Sequence, residues 1–275
     1  WEMWVVEGLD RDRFAIISKT HHCMLDGVSG VNLATILMSR EPHFEIVEPP
    51  PYVPRPLPTA LELRRDAWLR RLGTPLDVAR QLRGFASATE DVPGEVLSRL
   101  RALGELAWWK AVPTSDSPLN GPVGPHRRVD WLTMPLADLK AVRRARDCSI
   151  NDVVLATVAG AVREFLLSRQ VRPEGLDFRT STPVSVRSDA ERGELGNRVS
   201  SWIVRLPIGE SDPLRRLSKV RKVTQELKES QSAAAVEMME TLHEWVSFDI
   251  QGLSKGTQNM FVTNVPGPQF PLYML

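Results

Sequence analysis

Residues 150–169, INDVVLATVAGAVREFLLSR, are apolar around most of a helical circumference. A surface helix keeps one polar face, so a helix of this kind must be covered by neighbouring elements. Ser149 stands immediately before it and is the expected N-cap. The segments on either side supply the cover. HRRVDWLTMP (126–135) reads as a strand, and LADLKAVRRARD (136–147) as a helix. FRTSTPVSVR (178–187) and NRVSSWIVRLPI (197–208) read as strands. DPLRRLSKVRKVTQELKES, with Asp212 as cap, reads as an exposed helix. AAAVEMMETLHEWVSFDI is a further helix with Met and Trp on one face, and NMFVTNVPGP a short strand entering a turn. Strands and helices interleave, which predicts a mixed α/β (α+β) fold.

The amino-terminal part has a different texture. WEMWVVEGL and FAIISKTHH are strand-like runs joined by DRDR, which predicts a hairpin. LDGVSG follows as a turn, and VNLATILMS has apolar residues at helical spacing. Seven prolines between residues 42 and 58 predict an extended connector. Three helical stretches come next. Thr59 is the expected cap of the first, and Thr74 with Pro75 opens the second. A second proline and glycine cluster at 113–125 predicts a linker between domains at 1–112 and 126–275.

Composition excludes several classes. Net charge is +1, so no whole-molecule field favours nucleic acid. Cys23 and Cys148, the two cysteines, form neither a disulfide framework nor a metal spacing, which favours a reducing, cytoplasmic setting. The apolar stretch Val153–Val162 is bounded by Asn151-Asp152 and Arg163-Glu164, too short to cross a membrane. The chain opens on Trp1 in a strand-like run and closes on PLYML, so it is expected to be truncated at both ends relative to a longer protein.

The chemistry-bearing stretch is KTHHCMLDGVSG, residues 19–30. Side chains alternate along a strand, so His21 and His22 at a strand end cannot share one ion. His43, His126 and His243 add no zinc-like spacing, and no metal is expected. Two readings of the doublet stay open. One is a packed core histidine beside a surface one. The other is a general base: neutral imidazole accepts a proton near neutral pH, Asp26 can orient it or anchor its loop, and Gly27 and Gly30 permit close approach of a ligand. Cys23 diverges from His22 and is poorly placed as a nucleophile. No G-x-S-x-G elbow or phosphate-binding glycine loop occurs.

HHCMLDG resembles the HHxxxDG motif of the coenzyme A-dependent acyltransferase superfamily. That group includes chloramphenicol acetyltransferase, peptide-synthetase condensation domains and bacterial wax ester synthase/diacylglycerol acyltransferases. Trp1-Glu2, SINDVVLATVAGAVREFL (149–166), TPVSVR with GNRVSSWIVRLP (182–207) and TNVPGPQFPLYML (263–275) are similar, in order, to blocks of the last branch. The resemblance implies a two-domain chloramphenicol acetyltransferase-like fold. It implies transfer of a long-chain acyl group from acyl-coenzyme A to diacylglycerol or a fatty alcohol, with acyl-coenzyme A as co-substrate and no cofactor. His22 would be the general base, supported by His21, Asp26 and Gly27. Asn151 would be the first oxyanion candidate; Thr263 and Asn264 are further ones. Asp152 would more naturally hold structure by accepting from backbone or an arginine. Asp26 would pair with an arginine such as Arg187, and His21 would pack and hydrogen-bond in the interior.

Two other functions fit the same residues. One is a condensation or polyketide-type acyltransferase whose donor is a carrier protein; the other is a non-catalytic lipid or acyl-coenzyme A-binding relative. The basic run Arg64, Arg65, Arg70, Arg71, Arg80 and Arg83, with Trp68 as an anchor, is either a contact for a membrane or lipid-droplet surface or a solvated helical face.

Overall fold

A computed structural model of the chain describes residues 1–21, 33, 35–43, 51, 53–54, 56–69, 112–122, 124–185, 199–230 and 256–274. Two compact units divide it. One comprises Trp1–Pro54, Pro183–Ser200 and Thr263–Leu275; the other comprises Arg55–Thr182 and Ser201–Val262. Residues 113–125 lie within the second unit.

The first unit opens with the expected hairpin. β1 (Glu2–Leu9) pairs antiparallel with β2 (Arg13–Lys19), from Glu2 opposite Lys19 to Leu9 opposite Arg13. The register slips between Val6 and Leu9, where Gly8 takes a φ of +79° that a side chain would disfavour. Arg11 and Asp12 both adopt left-handed backbone in the turn, as a tight hairpin connection requires. Residues 33 and 35–37 are helical, as the apolar spacing predicts, and the described residues of the proline-rich connector carry no regular structure.

In the second unit, residues 60–69 form a helix whose start is a capping box. Thr59 Oγ1 accepts from the Glu62 N–H at 3.2 Å, and Glu62 Oε2 accepts from the Thr59 N–H at 2.7 Å. The core is built by α1 (Leu136–Arg146), α2 (Ile150–Ser168) and α3 (Pro213–Ser230), with residues 179–182, 201–205 and 260–261 of a sheet made by β3 (Arg179–Ser185), β4 (Val199–Arg205) and β5 (Met260–Phe261) in the order β4-β3-β5. β5 runs parallel to β3, Thr180 opposite Met260. Leu155, Ala159, Val162 and Leu166 of α2 pack with Phe178, Val204, Leu206, Ile208, Leu217, Val220 and Val262. Full burial of a side chain such as Leu155 or Leu166 contributes about 1.5–3 kcal/mol.

Three sequence expectations need correction. α2 is buried along one broad face rather than all round: Thr157, Ala161, Glu164 and Leu167 are exposed. Its apolar positions are partly alanines, which suit either side of a helix. α3 is not simply exposed, because Leu217, Val220 and Thr224 face the core. Residues 126–135 are not a strand; they carry no regular structure, and Val129, Trp131 and Leu132 are exposed, Trp131 by 84%. A strand needs a ladder partner for its N–H and C=O groups, and residue type supplies only the side-chain pattern. The expected helix at 233–250 lies outside the described residues.

Candidate active site

Asn151 and Asp152 are placed by the start of α2. Ser149 has extended backbone, and its Oγ accepts from the Asp152 N–H at 3.1 Å. Asp152 Oδ2 accepts in return from the Ser149 N–H at 2.7 Å. This reciprocal box fixes the entry to the helix. The other carboxylate oxygen, Oδ1, accepts from Thr224 Oγ1 of α3 at 2.6 Å, a length typical of a hydroxyl on an ionised acceptor. Asp152 is only 3% exposed, so both of its oxygens are committed inside the protein, to backbone and to a threonine rather than an arginine. Arg221, one turn earlier on α3, donates to Asp147 at 2.7 Å and so ties α3 to the loop before α2.

Asn151 differs from its neighbour. It is half-buried and has no side-chain hydrogen-bond partner among the described residues. A carboxamide brings two N–H donors. The helix N-terminus on which it sits favours negative charge. The group is therefore chemically able to stabilise a developing oxyanion, whereas Asp152 is occupied in holding the helix start. Nearby, burial and the Asp152 carboxylate push the Cys148 thiol above its ordinary pKa, which keeps it protonated and unreactive at neutral pH.

Thr263 and Asn264 are exposed and follow β5 into the run Val265-Pro266-Gly267-Pro268. They belong to the first unit, Asn151 and Asp152 to the second. His21 lies just past the end of β2 and is exposed. The interior position expected for it is not seen: His21 is exposed, and the hairpin carrying it is exposed along most of its length. His22, Cys23, Asp26, Gly27 and Arg187 lie outside the described residues. Of the basic run, Arg64, Arg65 and Trp68 are described and exposed, Trp68 by 66%. No described helix is long and apolar enough to cross a membrane, and no three His, Cys, Asp or Glu side chains group as metal ligands among the described residues.

Sequence reasoning missed a polar network around Arg179, which is 1% exposed. Its Nη1 donates to Val112 O at 2.8 Å and its Nη2 to Asp177, whose other oxygen accepts from Arg205 Nε at 2.7 Å. Asn259 Oδ1 accepts from the Arg179 N–H at 2.8 Å, while its Nδ2 donates to Ser115 O at 3.1 Å and Asn120 Oδ1 at 2.7 Å. The segment expected to be a linker is thus stitched through Ser115 and Asn120 to Asn259, the residue before β5, while Val112 just ahead of it accepts from Arg179 of β3. The available signal was a lone arginine in a strand of small residues, since a buried guanidinium requires several acceptors.

Comparison with known proteins bears on this arrangement. The family model for the wax ester synthase/diacylglycerol acyltransferase catalytic domain matches residues 1–154, a span that holds both HHCMLDG and Asn151-Asp152. The model for the WS/DGAT C-terminal domain matches residues 195–275. A Mycobacterium tuberculosis relative named "Probable diacyglycerol O-acyltransferase tgs1" is 30% identical over 283 residues, covering all of this chain and 58% of its own length. A second relative from that organism, with diacylglycerol O-acyltransferase in its name, is 33% identical over 300 residues, covering all of this chain and 55% of its own length. The chain therefore spans a little over half the length of these curated relatives. Among solved structures, the wax ester synthase/diacylglycerol acyltransferase from Marinobacter aquaeolei VT8 matches the whole chain with a TM-score of 0.56 at 24% identity, over 55% of that chain. That likeness carries the fold, a mixed α/β architecture of the two-domain, chloramphenicol acetyltransferase-like kind. With both family models matched in order, one of them across more than half of the sequence, the chain belongs to the wax ester synthase/diacylglycerol acyltransferase family.

Proposed function

We propose that this chain carries the catalytic motif of an O-acyltransferase that moves a long-chain acyl group from acyl-coenzyme A to diacylglycerol or a fatty alcohol. The observation that carries the reading is the catalytic-domain match over residues 1–154, which takes in His21-His22, Asp26-Gly27 and Asn151 together. An alcohol is a feeble nucleophile until its proton is removed, whereas a thioester already has a good leaving group. The missing ingredients are a base that is neutral near pH 7 and correct positioning. His22 takes the hydroxyl proton as the oxygen attacks the thioester carbonyl. The tetrahedral oxyanion is met by donors, Asn151 first and Thr263 or Asn264 as alternatives. Collapse expels the coenzyme A thiolate, which recovers the proton from the imidazolium. The products are triacylglycerol or wax ester and free coenzyme A, and no cofactor is consumed.

Such acceptors reside in bilayers and lipid droplets, so the site works from the cytoplasm at one of those surfaces. The exposed Trp68 beside Arg64 and Arg65 supports contact there. The test is an assay of the intact protein with palmitoyl-coenzyme A and either hexadecanol or diacylglycerol, the product identified by chromatography. His22→Ala is expected to abolish turnover while leaving circular dichroism unchanged. Activity within a few-fold of the parent would overturn the role of His22. Turnover with an acyl-carrier protein but not with acyl-coenzyme A would instead favour the condensation-type reading. Acyl-coenzyme A binding without product would favour the non-catalytic one.

A further inference from the structure

Within the first unit, two segments far apart in sequence meet at one place. The Ser39 N–H donates to Tyr273 O at 2.8 Å, and the Tyr273 N–H donates to Ser39 O at 2.8 Å, an isolated antiparallel bridge. The adjacent Arg40 guanidinium lies 4.1 Å from the centroid of the Phe270 ring. Ser39 Oγ also accepts from the Glu41 N–H at 3.0 Å, which fixes the backbone at the bridge. We infer that this bridge and cation–π pair form a clasp that aligns the segment following HHCMLDG with the segment bearing Thr263 and Asn264, and that Arg40 is a positioning residue for Thr263 and Asn264.

The inference rests on the function proposed above for its meaning, but the contact itself stands on geometry. Residues 33 and 35–37 are helical and lead directly to Ser39, and in sequence they follow the histidine motif. On the other side, Pro266, Pro268 and Pro271 punctuate the run from Asn264 to Tyr273. Proline fixes φ and offers no N–H, so this run is stiff and cannot be secured by a continuous ladder. Stiffness makes a single distal anchor effective, because a pinned far end constrains where the near end, with Asn264, can go. The Ser39–Tyr273 pair provides that anchor by backbone, and Arg40 on Phe270 adds a side-chain lock that a substitution can remove. A flexible run of the same length would not transmit the constraint.

The test uses the intact protein and the variants Arg40→Ala, Phe270→Ala, their double and Arg40→Lys. Hydrogen exchange of peptides covering 33–40 and 268–274 reads the clasp without reference to activity. Each single alanine variant is expected to speed exchange in both peptides by about two- to five-fold, the loss of an exposed cation–π contact. The double is expected to go no further than either single, and Arg40→Lys to recover part of the protection. In parallel, kcat should fall at least about two-fold in both alanine variants with KM for palmitoyl-coenzyme A unchanged, the pattern of lost alignment rather than lost binding. Faster exchange confined to the substituted peptide, or additive singles, would overturn the clasp. Coupled exchange with kcat unchanged would overturn the positioning role. An inactive parent would sink the proposed function instead, and the exchange data would still decide whether the clasp exists.

Discussion

The Asp152 carboxylate offers the sharpest test of how the start of α2 is built. Asp152→Ala removes two bonds at once: the Ser149 N–H loses its 2.7 Å acceptor and Thr224 Oγ1 its 2.6 Å acceptor. Loss of a capping interaction costs about 0.5–2 kcal/mol. A hydrogen bond to a charged group contributes about 1.5–3 kcal/mol. Thr224 keeps an alternative, since its hydroxyl also lies 3.0 Å from Arg221 O, which trims the second figure. The expected loss is about 3 kcal/mol, or about 1 M in urea midpoint at an m-value of ~3 kcal/mol/M. Asp152→Asn should cost much less, about 1 kcal/mol, because its amide oxygen can still accept from Ser149. Its NH₂ can then donate to Thr224 Oγ1 while that hydroxyl swings its proton to Arg221 O. Thr224→Val removes one of the same bonds from the other side, so it and Asp152→Ala should fall short of additivity by about 1 kcal/mol or more. Equilibrium urea unfolding followed by circular dichroism reads the parent, the three single variants and the Asp152→Ala/Thr224→Val double. An alanine variant within about 0.5 kcal/mol of the parent would refute the two-sided carboxylate. An asparagine variant as unstable as the alanine one would refute the reorientation argument.

Other consequences are as direct. Gly160 lies under Arg216, and a Cβ there would come 2.6 Å from Nη2 of a guanidinium that donates to Ala156 O at 3.1 Å and Glu210 O at 2.9 Å. Gly160→Ala should therefore destabilise the parent, yet stabilise an Arg216→Ala background by about 1 kcal/mol through helix propensity; thermal melts of the four proteins check the reversal of sign. Burial alone would raise the Asp177 pKa, but hydrogen bonds from Arg179 and Arg205 outweigh it and hold the carboxyl below its ordinary value. Its stabilising contribution is thus present above the usual carboxylate pKa of about 3.9 and is lost as pH falls through the depressed folded value. Asp177→Asn should lower the urea midpoint at pH 6 and shrink the drop between pH 6 and pH 3; an unchanged drop would contradict the linkage.

What could be read from residue order was whatever depends on near neighbours. The hairpin around residues 10–12 and the caps at Thr59, Ser149 and Asp212 follow from turn chemistry and from side chains reaching backbone two or three residues away. The order of motif blocks likewise carried the family. Contacts across the chain were beyond reach. HRRVDWLTMP has a strand's composition, yet strand formation depends on a partner that composition does not name. Arg179 stands out as a lone arginine in a strand of small residues, but its sequence names none of the partners, Asp177, Val112 and Asn259, that close around it, and Asp152 needed Thr224 from another helix to become fully engaged. Ser39 and Tyr273 carry no pattern that pairs them. Local structure is encoded by residues that are covalently close, whereas burial and polar satisfaction are settled only when distant segments come together.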